Sequence, residues 1–220
     1  MMPHEGIHFQ LVDLPAISRD HPVPWFASAL QTADACLLVV DLGDPGCLDQ
    51  VEAMHAILRE RRVTLTDRPE PRGEPAGAAA EGGDDPFALR LPALFLGNRA
   101  DRLADPEAEL QTFLELAGLS YPALAVSATT GRGLGEIGPR LFTHLGIVRV
   151  YTKAPGRPAD RARPFTLRRG QTVEDVARLV HKDLAGALKY ARLWGTAGFD
   201  GQHVGREHQV ADGDVVELHS

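Results

Sequence analysis

Apolar residues in the first two thirds of the chain follow two patterns that alternate along the sequence. Short continuous apolar runs, such as Ala35–Val40, are typical of strands buried on both faces of a parallel sheet. Apolar residues at three- and four-residue spacing predict helices between these runs. The predicted strands are 7–12, 35–42, 91–97 and 121–126, and the predicted helices are 25–33, 46–62, 105–117 and 134–145. This order predicts an α/β domain with a parallel sheet that has helices on both faces.

From residue 147 onward the pattern changes to short strands around one helix. The predicted strands are 148–152, 164–168, 189–194 and 214–218. The Thr172–Asp175 stretch has the form of a capping box, and it predicts a helix that begins there and ends near Leu184. We therefore expect a first domain at 1–146 and a small α+β domain at 147–220.

Residues 67–90 differ in kind from the rest of the first domain. They are rich in Pro, Gly, Ala and charge, so they bury too little apolar surface to offset the entropy of ordering them. The strand–helix pattern resumes directly afterwards. We interpret this stretch as a disordered surface insertion within the domain.

Composition is that of an ordinary globular protein, with 44% hydrophobic residues. No run of eighteen apolar residues occurs, so no membrane span is expected. The sequence near Met1 has no signal-peptide pattern, and Cys36 and Cys47 suit two reduced thiols, so we expect a cytoplasmic location. Residues 1–147 carry 11 Lys and Arg against 21 Asp and Glu, whereas residues 148–220 carry 12 against 9. The second domain is therefore the better candidate for contact with RNA.

Three short motifs follow predicted strands of the first domain. They are Asp13–Ala16, Asn98–Asp101 (Asn-Arg-Ala-Asp) and Ser127-Ala128. Ligands of open α/β sheets bind at the carboxyl ends of strands, where these motifs lie. In this order and on these strands, they resemble the last three nucleotide motifs of a GTPase of the Obg-like/DRG group. The implied fold is an incomplete P-loop GTPase-like parallel sheet.

The resemblance implies a guanine-nucleotide site with GTP or GDP as the ligand. Asp101 would accept both donors of the guanine edge, a bidentate charge-assisted contact that adenine cannot make. Asn98 would brace the base loop, and the backbone N–H of Ala128, next to Ser127, would contact the guanine carbonyl. Arg99 replaces the family's usual Lys, and an arginine side chain covers a purine face by stacking.

The phosphate side of such a site has no counterpart in the sequence. The Gly-x-x-x-x-Gly-Lys-Ser/Thr motif that cradles the phosphates does not occur. Asp13 corresponds to the family's aspartate near magnesium, with Ala16 in place of Gly, and the alternative of a simple turn residue stays open. The family's first strand would lie between 7–12 and 35–41. We therefore expect no catalytic residues, weak binding through the base alone and no firm magnesium site. The gap in the sheet would be closed by direct pairing of the two strands or by a partner chain, unless this chain is a fragment of a longer parent.

The C-terminal domain resembles a TGS domain, a ubiquitin-like β-grasp fold. Its motifs include the HKDL-x3-KYARLWG stretch at 181–195 and the Asp-Gly-Asp-Val-Val sequence at 212–216. The resemblance implies contact with the ribosome, RNA or a translation factor. Candidate contact residues are the basic side chains Lys153, Arg161, Arg163, Arg168 and Arg169, with a solvated loop as the alternative. Tyr151, Tyr190 and Trp194 are interpreted as core residues, with base stacking as the alternative.

Two functions are compatible with these patterns. The first is a guanine-nucleotide-binding protein that acts near the ribosome and does not hydrolyse GTP by itself. The second is a non-enzymatic adaptor in which the TGS domain binds RNA or protein on a vestigial G domain.

Overall fold

The computed structural model describes residues 1–17, 25–69, 88–195 and 199–220. Most of the insertion predicted at 67–90 lies outside these residues. The chain forms two compact units, Val12–Leu145 and Gly146–Ser220, and the second unit also includes Met1–Leu11. The units thus divide close to the predicted boundary at residue 146, except that the first eleven residues group with the C-terminal unit.

The described residues form eleven strands and six helices. The strands are β1 (Met2–His4), β2 (Ile7–Phe9), β3 (Cys36–Asp41), β4 (Val63–Thr66), β5 (Leu89–Asn98), β6 (Ala123–Ala125), β7 (Ile147–Thr152), β8 (Phe165–Arg168), β9 (Tyr190–Trp194), β10 (Gln202–Val204) and β11 (Val215–His219). The helices are α1 (Phe26–Gln31), α2 (Cys47–Glu60), α3 (Pro106–Leu116), α4 (Ile137–His144), α5 (Val173–Val180) and α6 (Lys182–Ala187). Single 3-10 turns precede α3 and α4, at Ala100–Arg102 and Leu134–Glu136.

Strand β5 is the centre of the sheet in the Val12–Leu145 unit. It pairs in parallel with β3, β4 and β6, as the alternation of strands and helices predicts. Ala93 and Phe95 share one face of β5 and belong to a core that also includes buried residues of α1, α2 and α3. Asp105 accepts a hydrogen bond from the N–H of Ala108 at 3.1 Å and caps α3, with Pro106 at its first position.

Strand β3 is less buried than its apolar sequence predicts. Leu38 and Val40 are buried, but Val39 on the opposite face is 58% exposed. Among the described residues β3 pairs only with β5, so its other edge has no neighbouring strand. The prediction that this strand is buried on both faces is therefore wrong, since the face that carries Val39 is open to solvent among the described residues.

The predicted strand 7–12 does not join the parallel sheet. Its first three residues form β2, which pairs antiparallel with β1 in a two-residue hairpin. The turn residues Glu5 and Gly6 have φ values of 42° and 87°, the left-handed conformations that tight hairpins favour. Residues 7–9 thus pair with β1, within the unit that Met1–Leu11 shares with Gly146–Ser220.

Besides β1, two further strands were not predicted. Strand β4 has the alternating sequence Val-Thr-Leu-Thr, with Val63 and Leu65 buried in the core, and β10 is only three residues long. Strand β5 also begins at Leu89, so the last residues assigned to the insertion belong to the sheet.

The C-terminal unit is a five-stranded mixed sheet in the order β10-β9-β11-β7-β8. Strands β11 and β7 are parallel in its middle, and the remaining pairs are antiparallel. The core contains Val173, Val176 and Ala177 of α5 together with buried residues of the sheet. The capping box at Thr172 and Asp175 is formed, but the predicted single helix is broken at His181, whose backbone is extended between α5 and α6.

Candidate functional site

The carboxyl ends of β3, β5 and β6 lie side by side in the first unit. Asp41 is the register partner of Asn98, and Gly97 is the partner of Ala125. Strand β5 approaches its neighbours closely at Gly97, because a Cβ there would come within 2.5 Å of Leu42 Cδ1. The parallel pairing therefore brings two of the three predicted motifs to one edge of the sheet.

Two hydrogen bonds join these motifs directly. Asn98 Oδ1 accepts the backbone N–H of Ala128 at 3.2 Å. The Ser127 hydroxyl donates to Asp101 Oδ1 at 2.5 Å. Ser127 is fully buried, whereas Asp101 and Ala128 are exposed. The hidden hydroxyl thus orients a carboxylate that remains open to a ligand.

Asp101 is held in its ionised form by this arrangement. The Ser127 hydrogen bond lowers the pKa of the Asp101 carboxyl, and Arg102 and Arg99 lower it further by charge. A carboxylate that stays charged at neutral pH accepts hydrogen bonds and donates none. Asp101 is therefore suited to an edge that presents two donors.

Two backbone N–H groups of the loop that follows β6 donate hydrogen bonds to Ser127 and close this loop into a turn. The N–H of Thr130 donates to the Ser127 hydroxyl oxygen at 3.2 Å, and the N–H of Gly131 donates to the Ser127 carbonyl at 2.9 Å. Gly133 has φ of 70°, and a Cβ there would lie 2.6 Å from the Ala125 carbonyl oxygen. A glycine is needed at this point, so the loop that presents Ala128 has a defined shape.

Arg99 lies between Asn98 and Asp101 in its motif. It has φ of 62°, a left-handed conformation uncommon for a residue with a side chain. Its Nε lies 3.0 Å from Asp41 Oδ2, and its side chain is about half exposed. Sequence reasoning did not single out Asp41, although its place directly after an apolar strand run is a usable signal.

Asp13 does not share this edge of the sheet. It lies beyond β2 in a segment without regular structure and is exposed. Among the described residues it makes no hydrogen bond or ion pair with the other predicted site residues. The expectation that Asp13 ends a strand of the parallel sheet is wrong. Residues 7–9 pair with β1 in the Glu5-Gly6 hairpin instead, and Asp13 follows them outside any strand. No group of three His, Cys, Asp or Glu side chains suited to a metal ion occurs in the described part of the chain.

The predicted basic residues of the C-terminal unit have different surroundings. Lys153 is mostly covered, pairing with Glu217 at 3.2 Å while its Nζ lies 3.8 Å above the ring of Trp194. Arg161 lies over the ring of Tyr151 at 5.7 Å. Arg161, Arg163 and Arg169 are exposed, and Arg168 is half-buried. Three of the five predicted basic residues therefore face solvent.

Tyr151, Tyr190 and Trp194 are half-buried and lie outside the apolar core cluster, so their interpretation as core residues is wrong. Tyr190 is stacked between His203 and His219, with ring centroids 4.2 and 4.5 Å away. Trp194 has Lys153 above its ring, and Gly201 lies close enough that a Cβ there would be 3.4 Å from it. Neighbours thus occupy ring faces that a base would need, which weakens the stacking alternative.

Comparisons with known proteins agree with both parts of the chain. Residues 148–220 match the TGS domain family. A GTP-binding protein of Methanocaldococcus jannaschii is 35% identical over 131 residues, covering 58% of this chain and 33% of that protein. One from Halobacterium salinarum is 31% identical over 188 residues, covering 81% of this chain and 49% of its own length. The Developmentally-regulated GTP-binding protein 2 homolog of Dictyostelium discoideum is 34% identical over 97 residues, covering 44% of this chain and 27% of the relative.

A solved structure shows the same fold. The YchF GTPase of Schizosaccharomyces pombe superposes with a TM-score of 0.55 at 13% identity, covering 89% of this chain and 75% of that chain. This chain spans half or less of the length of the three curated relatives given above. The resemblance to Obg-like/DRG GTPases with a C-terminal TGS domain is confirmed, as is a mixed fold with a parallel sheet. No helix among the described residues is long and apolar enough to cross a membrane.

Proposed function

We propose that this chain, similar to DRG-type GTP-binding proteins and carrying a TGS domain, supplies the base-recognition side of a guanine-nucleotide site. The observation that carries the proposal is the pair of hydrogen bonds joining Asn98 to Ala128 and Asp101 to Ser127. These bonds fix one carboxylate at the sheet edge and engage the Ala128 N–H with Asn98 Oδ1. Guanine presents two adjacent donors that match the exposed Asp101 carboxylate in kind, and its carbonyl would have to share the Ala128 N–H with Asn98 Oδ1 or displace that acceptor.

Binding through the base alone is expected to be weak. Without a phosphate-cradling loop or a held magnesium ion, we expect a dissociation constant above about 0.1 mM for GDP. We expect no appreciable GTP hydrolysis by this chain alone, since phosphoryl transfer depends on positioning and charge at the phosphates. The proposed compartment is the cytoplasm, because Cys36 and Cys47 are both free thiols.

The edge of β3 that no described strand occupies suggests where the phosphate contacts enter. Val39 is exposed on β3, and the strand's carboxyl end at Asp41 adjoins Asn98. A strand added in parallel at this edge would end beside the base motifs, and a helix following it would cover Val39. We propose that a strand–helix segment of a partner chain occupies this edge and brings the phosphate-binding groups.

This arrangement is tested by nucleotide titration followed in ¹H–¹⁵N NMR spectra. GDP is expected to shift the amide signals of Asp101 and Ala128, whereas ADP at the same concentration leaves them in place. Equal shifts with both nucleotides, or none with GDP, contradict base recognition.

For the β3 edge, the unmatched part of the Halobacterium salinarum relative is added to the chain and to a Val39→Asp variant. Tighter GDP binding in the first mixture alone is expected, and no gain in either contradicts the partner proposal.

A second function, an adaptor that binds RNA or protein through the TGS domain, is favoured by the exposed Arg161, Arg163 and Arg169. Such side chains contact phosphates and release counterions on binding, so the affinity falls with salt. Replacing all three by Gln should reduce the salt dependence of binding to ribosomal RNA. An unchanged salt slope in that variant contradicts the contact.

A further inference from the structure

The ion pair between Asp41 and Arg99 fixes the side chain of Arg99, which stands where the motif usually has Lys. Arg99 follows Asn98 directly and precedes Asp101 by two residues, so its side chain starts between the two base-side groups. A free arginine samples many rotamers, and ordering such a side chain on ligand binding costs affinity. Any contact that orders it beforehand therefore matters for the site.

Asp41 is itself held in place by the backbone around it. Its Oδ1 accepts the N–H of Gly43 at 3.0 Å, while its Oδ2 lies 3.0 Å from Arg99 Nε. The strand register places Asp41 opposite Asn98, and the N–H of Leu42 donates to the Asn98 carbonyl at 3.3 Å. The carboxylate thus has a fixed position relative to the strand that carries Arg99.

The backbone of Arg99 adds a second constraint. Its left-handed φ of 62° turns the chain sharply between Asn98 and the 3-10 turn at Ala100–Arg102. Strained backbone of this kind persists where surrounding contacts determine it, and it clusters at ligand sites. Backbone and carboxylate together leave the Arg99 side chain few positions, although about half of it is exposed.

We propose that Asp41 is a positioning residue that holds the Arg99 guanidinium in place, so that it covers one face of the bound guanine. This inference rests on the proposed function, because it assigns the Arg99 side chain a purine to cover. Planar guanidinium groups stack on aromatic faces, and an ion pair through Nε leaves the outer edge of the group for a ligand. Asp41 makes no contact with the base and acts through Arg99.

A double-mutant cycle with Asp41→Ala and Arg99→Ala tests the inference. We expect Asp41→Ala to weaken GMP binding about 3- to 10-fold in the wild-type chain, because Arg99 must then be ordered by the ligand. In the Arg99→Ala background the same change should have no effect. Binding is measured by NMR titration, and thermal unfolding of each variant confirms that the fold is kept.

A ligand-free measurement checks the ion pair directly. The Arg99 Nε–H signal should be protected from exchange with water in the wild type and lose that protection in Asp41→Asn. An unchanged Arg99 signal, or equal losses of GMP affinity from Asp41→Ala in both backgrounds, overturns the positioning role. If the wild type binds GMP no better than AMP, the proposed function fails and this inference with it. If guanine preference is present but the coupling is absent, the positioning role alone is wrong.

Discussion

Replacing Asp101 by Asn exchanges one acceptor for a donor in a way that the structure defines. The Ser127 hydroxyl donates to Asp101 Oδ1 and accepts the Thr130 N–H, so it needs an acceptor at that position. In Asp101→Asn, the amide oxygen is therefore expected to keep the Oδ1 position. The amide NH₂ then takes the Oδ2 position, facing the ligand.

This orientation predicts a change of base preference. The NH₂ group opposes the exocyclic amine of guanine, whereas xanthine offers a carbonyl at the same place. Losing a charge-assisted hydrogen bond corresponds to about 10- to 100-fold in affinity, so GDP binding should fall by that factor. XDP binding should become the stronger of the two, as measured by NMR titration with both nucleotides.

The matched control is Asp105→Asn, an exposed N-cap on α3 that asparagine replaces well. This control should leave the preference for GDP over XDP as it is in the wild type. If Asp101→Asn shows the same preference between GDP and XDP as the wild type, Asp101 does not recognise the base. A change of preference in the control as well would place the effect outside the base site.

Two predictions concern the stability of the scaffold. Gly97→Ala should lower the free energy of unfolding by about 1–3 kcal/mol in urea denaturation, because the added Cβ would overlap Leu42. The control Gly135→Ala, whose Cβ would have no atom within 4 Å, should be nearly neutral. Similar losses of stability in both variants would contradict the close approach at Gly97. In the C-terminal unit, hydrogen bonds from Arg149 lower the pKa of the Asp212 carboxyl. This pair stabilises the fold above about pH 4, and the contribution is lost as pH falls through the lowered pKa, so Asp212→Asn should flatten the acid side of a stability–pH curve. An equally steep curve in the variant would show that the pair contributes nothing.

The place of the candidate base motifs could be predicted from sequence because they follow strands of a parallel sheet. An apolar run fixes where a strand ends, and parallel pairing brings strand ends together without further information. Asn98, Asp101, Ser127 and Ala128 were singled out because their motifs, in this order at strand ends, resemble those of a GTPase, and their role in base recognition stays a prediction. Asp41 follows the same rule but belongs to no quoted motif, so its contact with Arg99 required the structure.

The elements that the sequence did not predict depend on local turns and on short length. The Glu5-Gly6 turn outweighs the apolar pattern of residues 7–12, since a tight hairpin satisfies backbone groups that a distant sheet would otherwise pair. Strand β4 is four residues long and lies beside an insertion without pattern. The break at His181 is equally hidden, because α5 and α6 together have the composition of one helix. Local backbone conformation thus decides the hairpin and the helix break, whereas short length hides β4.

The central claim, recognition of the guanine base, is tested most directly by isothermal titration of the chain with GDP, GTP and ATP in the presence of magnesium. We predict weak heat of binding with GDP and GTP, at dissociation constants above about 0.1 mM, and none with ATP. Equal binding of ATP, or no binding of any of the three, would contradict the account.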